Sequence, residues 1–194
     1  MNLKIPNILT IGRIIVVPIF VITFFLPGMY GDLIPFFLFV GASFTDFLDG
    51  LLARILKEES KLGELLDPIA DKILVCAALV LLVMNGIIKN YEVIAAIIIL
   101  TREILISSLR EFLAKISISM PVTNLAKFKT FLQMFSISLL LTGEVGNRII
   151  NFEDYNAQTI GIILLWVSAF LTLYTGYGYL VKGIDHAIAE DKKN

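Results

Sequence analysis

The chain reads as an all-α integral membrane protein, six transmembrane helices around a polar cavity open to the cytoplasm. Three observations predict this. Of its 194 residues 57% are hydrophobic and 17% charged, with a mean hydropathy of +0.85, and the apolar residues come in long blocks. The basic residues are divided unevenly between the two ends of those blocks. Acids and small residues also stand at helical spacing inside otherwise apolar stretches.

Taken in order, the apolar blocks predict spans near 9–26, 34–56, 64–87, 92–115, 124–143 and 158–181. The segment before Arg13, MNLKIPNILT, mixes polar and apolar residues and is expected along the membrane surface. The run after Arg13 has no small-residue cleavage site, so it is expected to stay as the first span. No repeat, low-complexity tract or hydrophilic linker interrupts the sequence, which predicts a single domain over 1–194. Pro68 costs little only near a helix start, so the third helix is expected to begin between Leu62 and Asp67. Lys57 to Lys61 then form a short connection.

With six spans, Lys4, Arg13, Arg54, Lys57, Lys61, Lys72, Arg102, Arg110, Lys115, Lys127, Lys129, Lys182, Lys192 and Lys193 fall on one side; only Lys89 and Arg148 fall on the other. The positive-inside rule therefore places both termini in the cytoplasm of a cell (inner) membrane. Asp46 follows Pro35, at the outer end of the second span, by eleven residues. That is roughly 16 Å of helix in a hydrocarbon core of about 30 Å, so Asp46 and Asp49 are expected below the cytoplasmic surface. Carboxylates at that depth need metal, water or a counter-charge.

The chemistry is concentrated between Asp46 and Asp71, in D-x-x-D-G-x-x-A-R, eight residues, then G-x-x-x-D-x-x-x-D. On a helix Asp46, Asp49, Gly50 and Ala53 share one face; Gly63, Asp67 and Asp71 form a second row. Two carboxylate pairs on adjacent helices make an oxygen cage for hard divalent cations, and four carboxylates in one pocket repel unless cations neutralise them. Two Mg²⁺ or Mn²⁺ ions suit a donor set without His or Cys. His186, the one histidine, lies in the polar tail, and Cys76, the one cysteine, lies in an apolar run. Neither can build a triad, an intrachain disulfide or a histidine-rich metal site. A net charge of −1 gives no reason to expect nucleic acid.

This stretch resembles the signature of the CDP-alcohol phosphotransferases, membrane enzymes of phospholipid synthesis, at every defined position. The resemblance implies that Asp46, Asp49, Asp67 and Asp71 hold the metals at the pyrophosphate of a CDP-linked donor, and that Asp71 is also the general base. It implies that Gly50, Ala53 and Gly63 let the nucleotide approach, and that Arg54 pairs with donor phosphate or stabilises the nucleotide pocket. A second cluster, Arg110 with Lys127 and Lys129, is suited to clamp an acceptor phosphate. Charge alone does not choose between that and ordinary anchoring at the membrane surface. The texts R-E, L-R and K-x-K-T-x-x-Q, with P-N-x-L-T-x-x-R from Pro6 to Arg13, are similar to the branch that makes phosphatidylglycerophosphate. That branch implies CDP-diacylglycerol and sn-glycerol 3-phosphate as substrates among membrane lipids, CMP as a product, and a homodimer. Another acceptor in the same fold, such as inositol phosphate or phosphatidylglycerol, and a cation transporter with an acidic path are the rival readings. Glu103 beside Arg102 is expected to form an internal ion pair, and Trp166 and the tyrosines 174, 177 and 179 to pack or lie at the interface.

Overall fold

The computed structural model describes residues 5–56, 61–115, 123–152 and 155–191. The connection expected over Lys57–Lys61 lies mostly outside the described residues, as do Lys4, Lys192 and Lys193. Six long helices stand where the apolar blocks predict them: α1 Ile5–Thr23, α2 Met29–Leu56, α3 Lys61–Met84, α4 Glu92–Lys115, α5 Asn124–Leu141 and α7 Ala157–Asp191. Between the last two lie a short helix, α6 Gly143–Ile149, and two two-residue strands, β1 Asn151–Phe152 and β2 Tyr155–Asn156. The strands pair antiparallel, Asn151 with Asn156 and Phe152 with Tyr155.

Four boundaries differ most from expectation. α1 begins at Ile5, so the segment ahead of Arg13 is already part of it rather than preceding a span that starts near 9. α2 begins at Met29, so Pro35 lies inside it rather than opening it. As the seventh residue of α2, Pro35 forgoes one helical hydrogen bond, the one an N–H there would give to the Gly31 carbonyl. α3 begins at Lys61, which moves Asp67 and Asp71 beyond its first turn. α7 continues ten residues past Val181, because no proline breaks it and a lone glycine such as Gly183 only weakens a helix. At about 1.5 Å per residue its 35 residues reach roughly 52 Å, well beyond a hydrocarbon core.

Each long helix turns large apolar side chains outward: Ile15, Ile19 and Ile22 on α1, Phe37, Val40 and Phe44 on α2, Ile73 and Val80 on α3. The same holds for Ile97 and Ile104 on α4, Phe128, Phe131 and Phe135 on α5, and Phe170, Leu173 and Tyr174 on α7. Inside lie Thr10, Arg13, Lys129, Gln133, Ser136, Ser168, Thr172 and Thr175. Apolar outside and polar inside is the arrangement lipid favours and water opposes. By length and composition, one stretch among the described residues, Ala157–Val181, is apolar enough to cross a membrane. The apolar stretches Thr10–Thr23, Met29–Thr45 and Lys72–Met84 are shorter. Charged residues such as Asp46, Asp49, Asp67, Asp71, Arg102 and Glu103 cut into the other blocks.

The chain forms two compact units. The first comprises 1–88 and 136–161, the second 89–135 and 162–194. In the first, α1 packs on both α2 and α3 and is the helix the other two share. A short turn, Phe24–Gly28, reverses the chain between α1 and α2, and the Phe20 ring lies 5.7 Å from Phe24 and 6.3 Å from Phe39. Asn156 caps α7: its Oδ1 accepts from the Thr159 amide at 2.8 Å and from the Thr159 hydroxyl at 3.0 Å. Close packing follows at Gly161, whose carbonyl accepts from Ser136 Oγ at 2.8 Å and where a Cβ would meet Leu140 Cδ2 at 2.7 Å.

In the same unit α6 is tied to the start of α2. Asp32 Oδ2 accepts from the Glu144 amide at 3.1 Å, and Gly143 reaches that position with φ +53°. A Cβ on Gly143 would lie 2.3 Å from Asp32 Oδ1. Gly143→Val is therefore expected to strain the backbone and dislodge the cap, costing about 1–3 kcal/mol. Thermal unfolding in detergent checks this, and an unchanged midpoint would show the tie to be dispensable.

Candidate functional site

The acidic stretch is carried by α2 and α3, both packed on α1. The side chains of Asp46, Asp49, Gly50, Ala53, Arg54, Gly63, Asp67 and Asp71 lie outside the described residues; their backbone places them on these helices. Register does the rest. On α1 Thr10, Arg13, Val17 and Phe20, followed by Phe24 in the turn, recur at alternating three- and four-residue steps and are all buried. On α2 Phe39 and Ala42 are buried, and the same steps lead on to positions 46, 49 and 53. Because the short turn makes α1 and α2 antiparallel, the Phe20–Phe39 contact sets their alignment. Seven residues back from Phe20 and seven on from Phe39 bring Arg13 level with position 46; Thr10 comes level with position 49.

Arg13 is 2% exposed, a cation sunk into an apolar three-helix group that also carries the acidic positions. No role for it followed from the acidic motif. The signal was available in P-N-x-L-T-x-x-R, where Thr10 and Arg13 fall on the row of Val17 and Phe20. The four acidic positions belong to one unit and offer oxygen donors alone, which suits Mg²⁺ or Mn²⁺.

In the second unit, α4, α5 and α7 bring a different set of charges together. Glu103 Oε1 accepts from Lys129 Nζ, and from Arg102 Nη1 at 3.2 Å. Arg102 Nη2 donates to Thr175 Oγ1 at 3.3 Å. Gly176 lets α7 lie against the arginine stem, since a Cβ there would be 3.2 Å from Arg102 Cγ. Lys129 is 2% exposed, whereas the side chains of Arg102 and Glu103 are 12% and 20% exposed. One turn along α5, the buried Gln133 Oε1 has no hydrogen-bond partner among the described residues.

The expected pairing of Arg102 with Glu103 is present, and Lys129 joins it. The three basic residues differ in burial. Lys127 and Lys129 are two residues apart, about 200° around a helix, and α5 accordingly exposes Lys127 while burying Lys129. Arg110 is exposed on α4, two turns from Glu103. The burial was legible: Lys129 shares a helical row with Ala126, Gln133 and Ser136, whereas Lys127 does not. Tyr179 is buried and Tyr174 and Tyr177 are exposed on α7.

A profile of the CDP-alcohol phosphatidyltransferase family matches residues 3–174. A protein of Rickettsia bellii named CDP-diacylglycerol–glycerol-3-phosphate 3-phosphatidyltransferase is 44% identical over 91% of this chain and 93% of its own length. Proteins of the same name from Yersinia enterocolitica and Cereibacter sphaeroides are 37% and 34% identical. They cover 93% and 96% of this chain, and 94% and 98% of their own lengths. Together with the acidic motif on α2 and α3, these matches place the chain in the CDP-alcohol phosphatidyltransferase family.

Proposed function

We propose that this chain transfers the phosphatidyl group of CDP-diacylglycerol to sn-glycerol 3-phosphate, giving phosphatidylglycerophosphate and CMP. The observation that carries the reading is the likeness, over nearly the full length of both chains, to relatives named for that reaction. The acidic stretch supplies the chemistry such a transfer needs.

Asp46, Asp49, Asp67 and Asp71 would hold two Mg²⁺ or Mn²⁺ ions, which when bound offset charge on the donor diphosphate and the departing CMP. Gly50, Ala53 and Gly63 leave room for the nucleotide beside the backbone, and Arg54 pairs with a donor phosphate. Arg13, level with position 46, gives this group a buried positive charge of its own. Asp71 accepts the proton of the acceptor hydroxyl as that oxygen bonds to the phosphorus bearing the diacylglycerol; the bond from that phosphorus to the CMP oxygen breaks. Lys129 binds the acceptor phosphate from within, while the exposed Arg110 and Lys127 draw it in. The whole chain acts as one domain in a cell membrane, with both termini and the acidic stretch cytoplasmic. The division of basic residues supports this orientation. The expected homodimer rests on the family resemblance.

An acceptor screen tests the reading. With CDP-diacylglycerol, glycerol 3-phosphate is expected to be used in preference to inositol phosphate or phosphatidylglycerol, and preference for either of those would overturn the acceptor assignment. Asp46→Asn, Asp49→Asn and Asp67→Asn should each lower kcat by about a hundredfold or more. A variant retaining most of its rate at ordinary metal concentration would remove that residue from the set. Asp71→Asn should lose kcat severely and still bind CDP in the presence of metal; near-normal turnover would exclude it as the base.

Lys129→Ala is expected to weaken glycerol 3-phosphate by about ten- to a hundredfold, with little change in the KM for the lipid donor. An equal loss for both substrates would argue that the lysine supports the fold rather than the acceptor.

A further inference from the structure

This inference rests on the acceptor site proposed above and concerns what occupies it before the acceptor arrives. Lys129, the one buried member of the basic trio, is already engaged by the Glu103 carboxylate. The same oxygen also accepts from Arg102 at 3.2 Å, and Arg102 is held in turn by Thr175. Two cations and one anion meet here among the described residues, in partial or complete burial where charge is weakly screened. Glu103 is its most accessible side chain, 20% exposed against 12% for Arg102 and 2% for Lys129. An anion approaching Lys129 therefore meets the carboxylate first.

We propose that Glu103 is a built-in competitor for the acceptor phosphate: it holds Lys129 in the acceptor-free enzyme and gives it up to a phosphate dianion. The exchange strands no charge. Glu103 keeps its bond to Arg102, and Lys129 trades a monoanion for a dianion that Arg110 also attracts. A neutral alcohol offers Lys129 nothing that repays the lost ion pair, because breaking a buried pair without replacing its anion is strongly unfavourable. Glu103 thereby rejects acceptors that lack a phosphate, and selectivity comes from the repulsive element as much as from the lysine.

The test compares wild type, Glu103→Gln, Glu103→Asp, Lys129→Met and the double variant Glu103→Gln/Lys129→Met at saturating CDP-diacylglycerol. Two quantities are read: the KM for glycerol 3-phosphate, and the inhibition constant of inorganic phosphate as its competitor. Glu103→Gln should lower both by about three- to tenfold, because Lys129 no longer has the Glu103 carboxylate to surrender. Glu103→Asp, one methylene shorter, should move both the same way by less, and it carries the test if the glutamine variant does not fold. The double variant should lose the gain. If a folded Glu103 variant shows both constants unchanged or raised, Glu103 merely holds Lys129 in place and the proposal falls. Lys129→Met leaving the KM for glycerol 3-phosphate unchanged would instead overturn the acceptor site itself, and this inference with it.

Discussion

A charge placed inside apolar helices has to be compensated, and that constraint organises this protein. Desolvating a lone carboxylate or ammonium costs more than most folds can bear, so each buried charge needs a partner or a ligand. In the second unit the compensation is visible: Glu103 joins Arg102 of its own helix to Lys129 of α5, and Thr175 of α7 takes another arginine hydrogen. In the first unit the acidic positions of α2 and α3 share one packed group with the buried Arg13 of α1.

The outward faces answer the same constraint from the other side. Ile15, Ile19 and Ile22, or Phe37, Val40 and Phe44, would be a liability in water and are at home among acyl chains. Polar hydroxyls such as Thr10, Ser136 and Thr172 point inward. A substrate with two acyl chains and a charged nucleotide suits such a body, because its tails and its headgroup require opposite surroundings.

Much of this was legible from the residues alone. Helix positions followed from the apolar blocks, and six of them became six long helices. Their ends were less legible: Pro35 is tolerated within the first turns of α2, and α7 outruns its apolar block by ten residues. The short α6 and its hairpin were unpredicted, since they depend on Asp32 reaching the Glu144 amide across more than a hundred residues of sequence. The acidic motif announced itself by spacing. The opposite fates of Lys127 and Lys129 followed from helical geometry that a reading by charge alone passes over, and Arg13 was hidden because its significance lies in the register of two helices rather than in a local pattern.

We propose that divalent cations neutralise the acids between Asp46 and Asp71, which the sequence sets among apolar residues. The most direct measurement is the number of manganese ions bound per chain, counted by electron paramagnetic resonance on the purified protein with CDP present. Two ions per wild-type chain are expected, and fewer when Asp49 is replaced by asparagine. A wild-type chain that binds none, or an Asp49→Asn chain that binds as many as wild type, would contradict it.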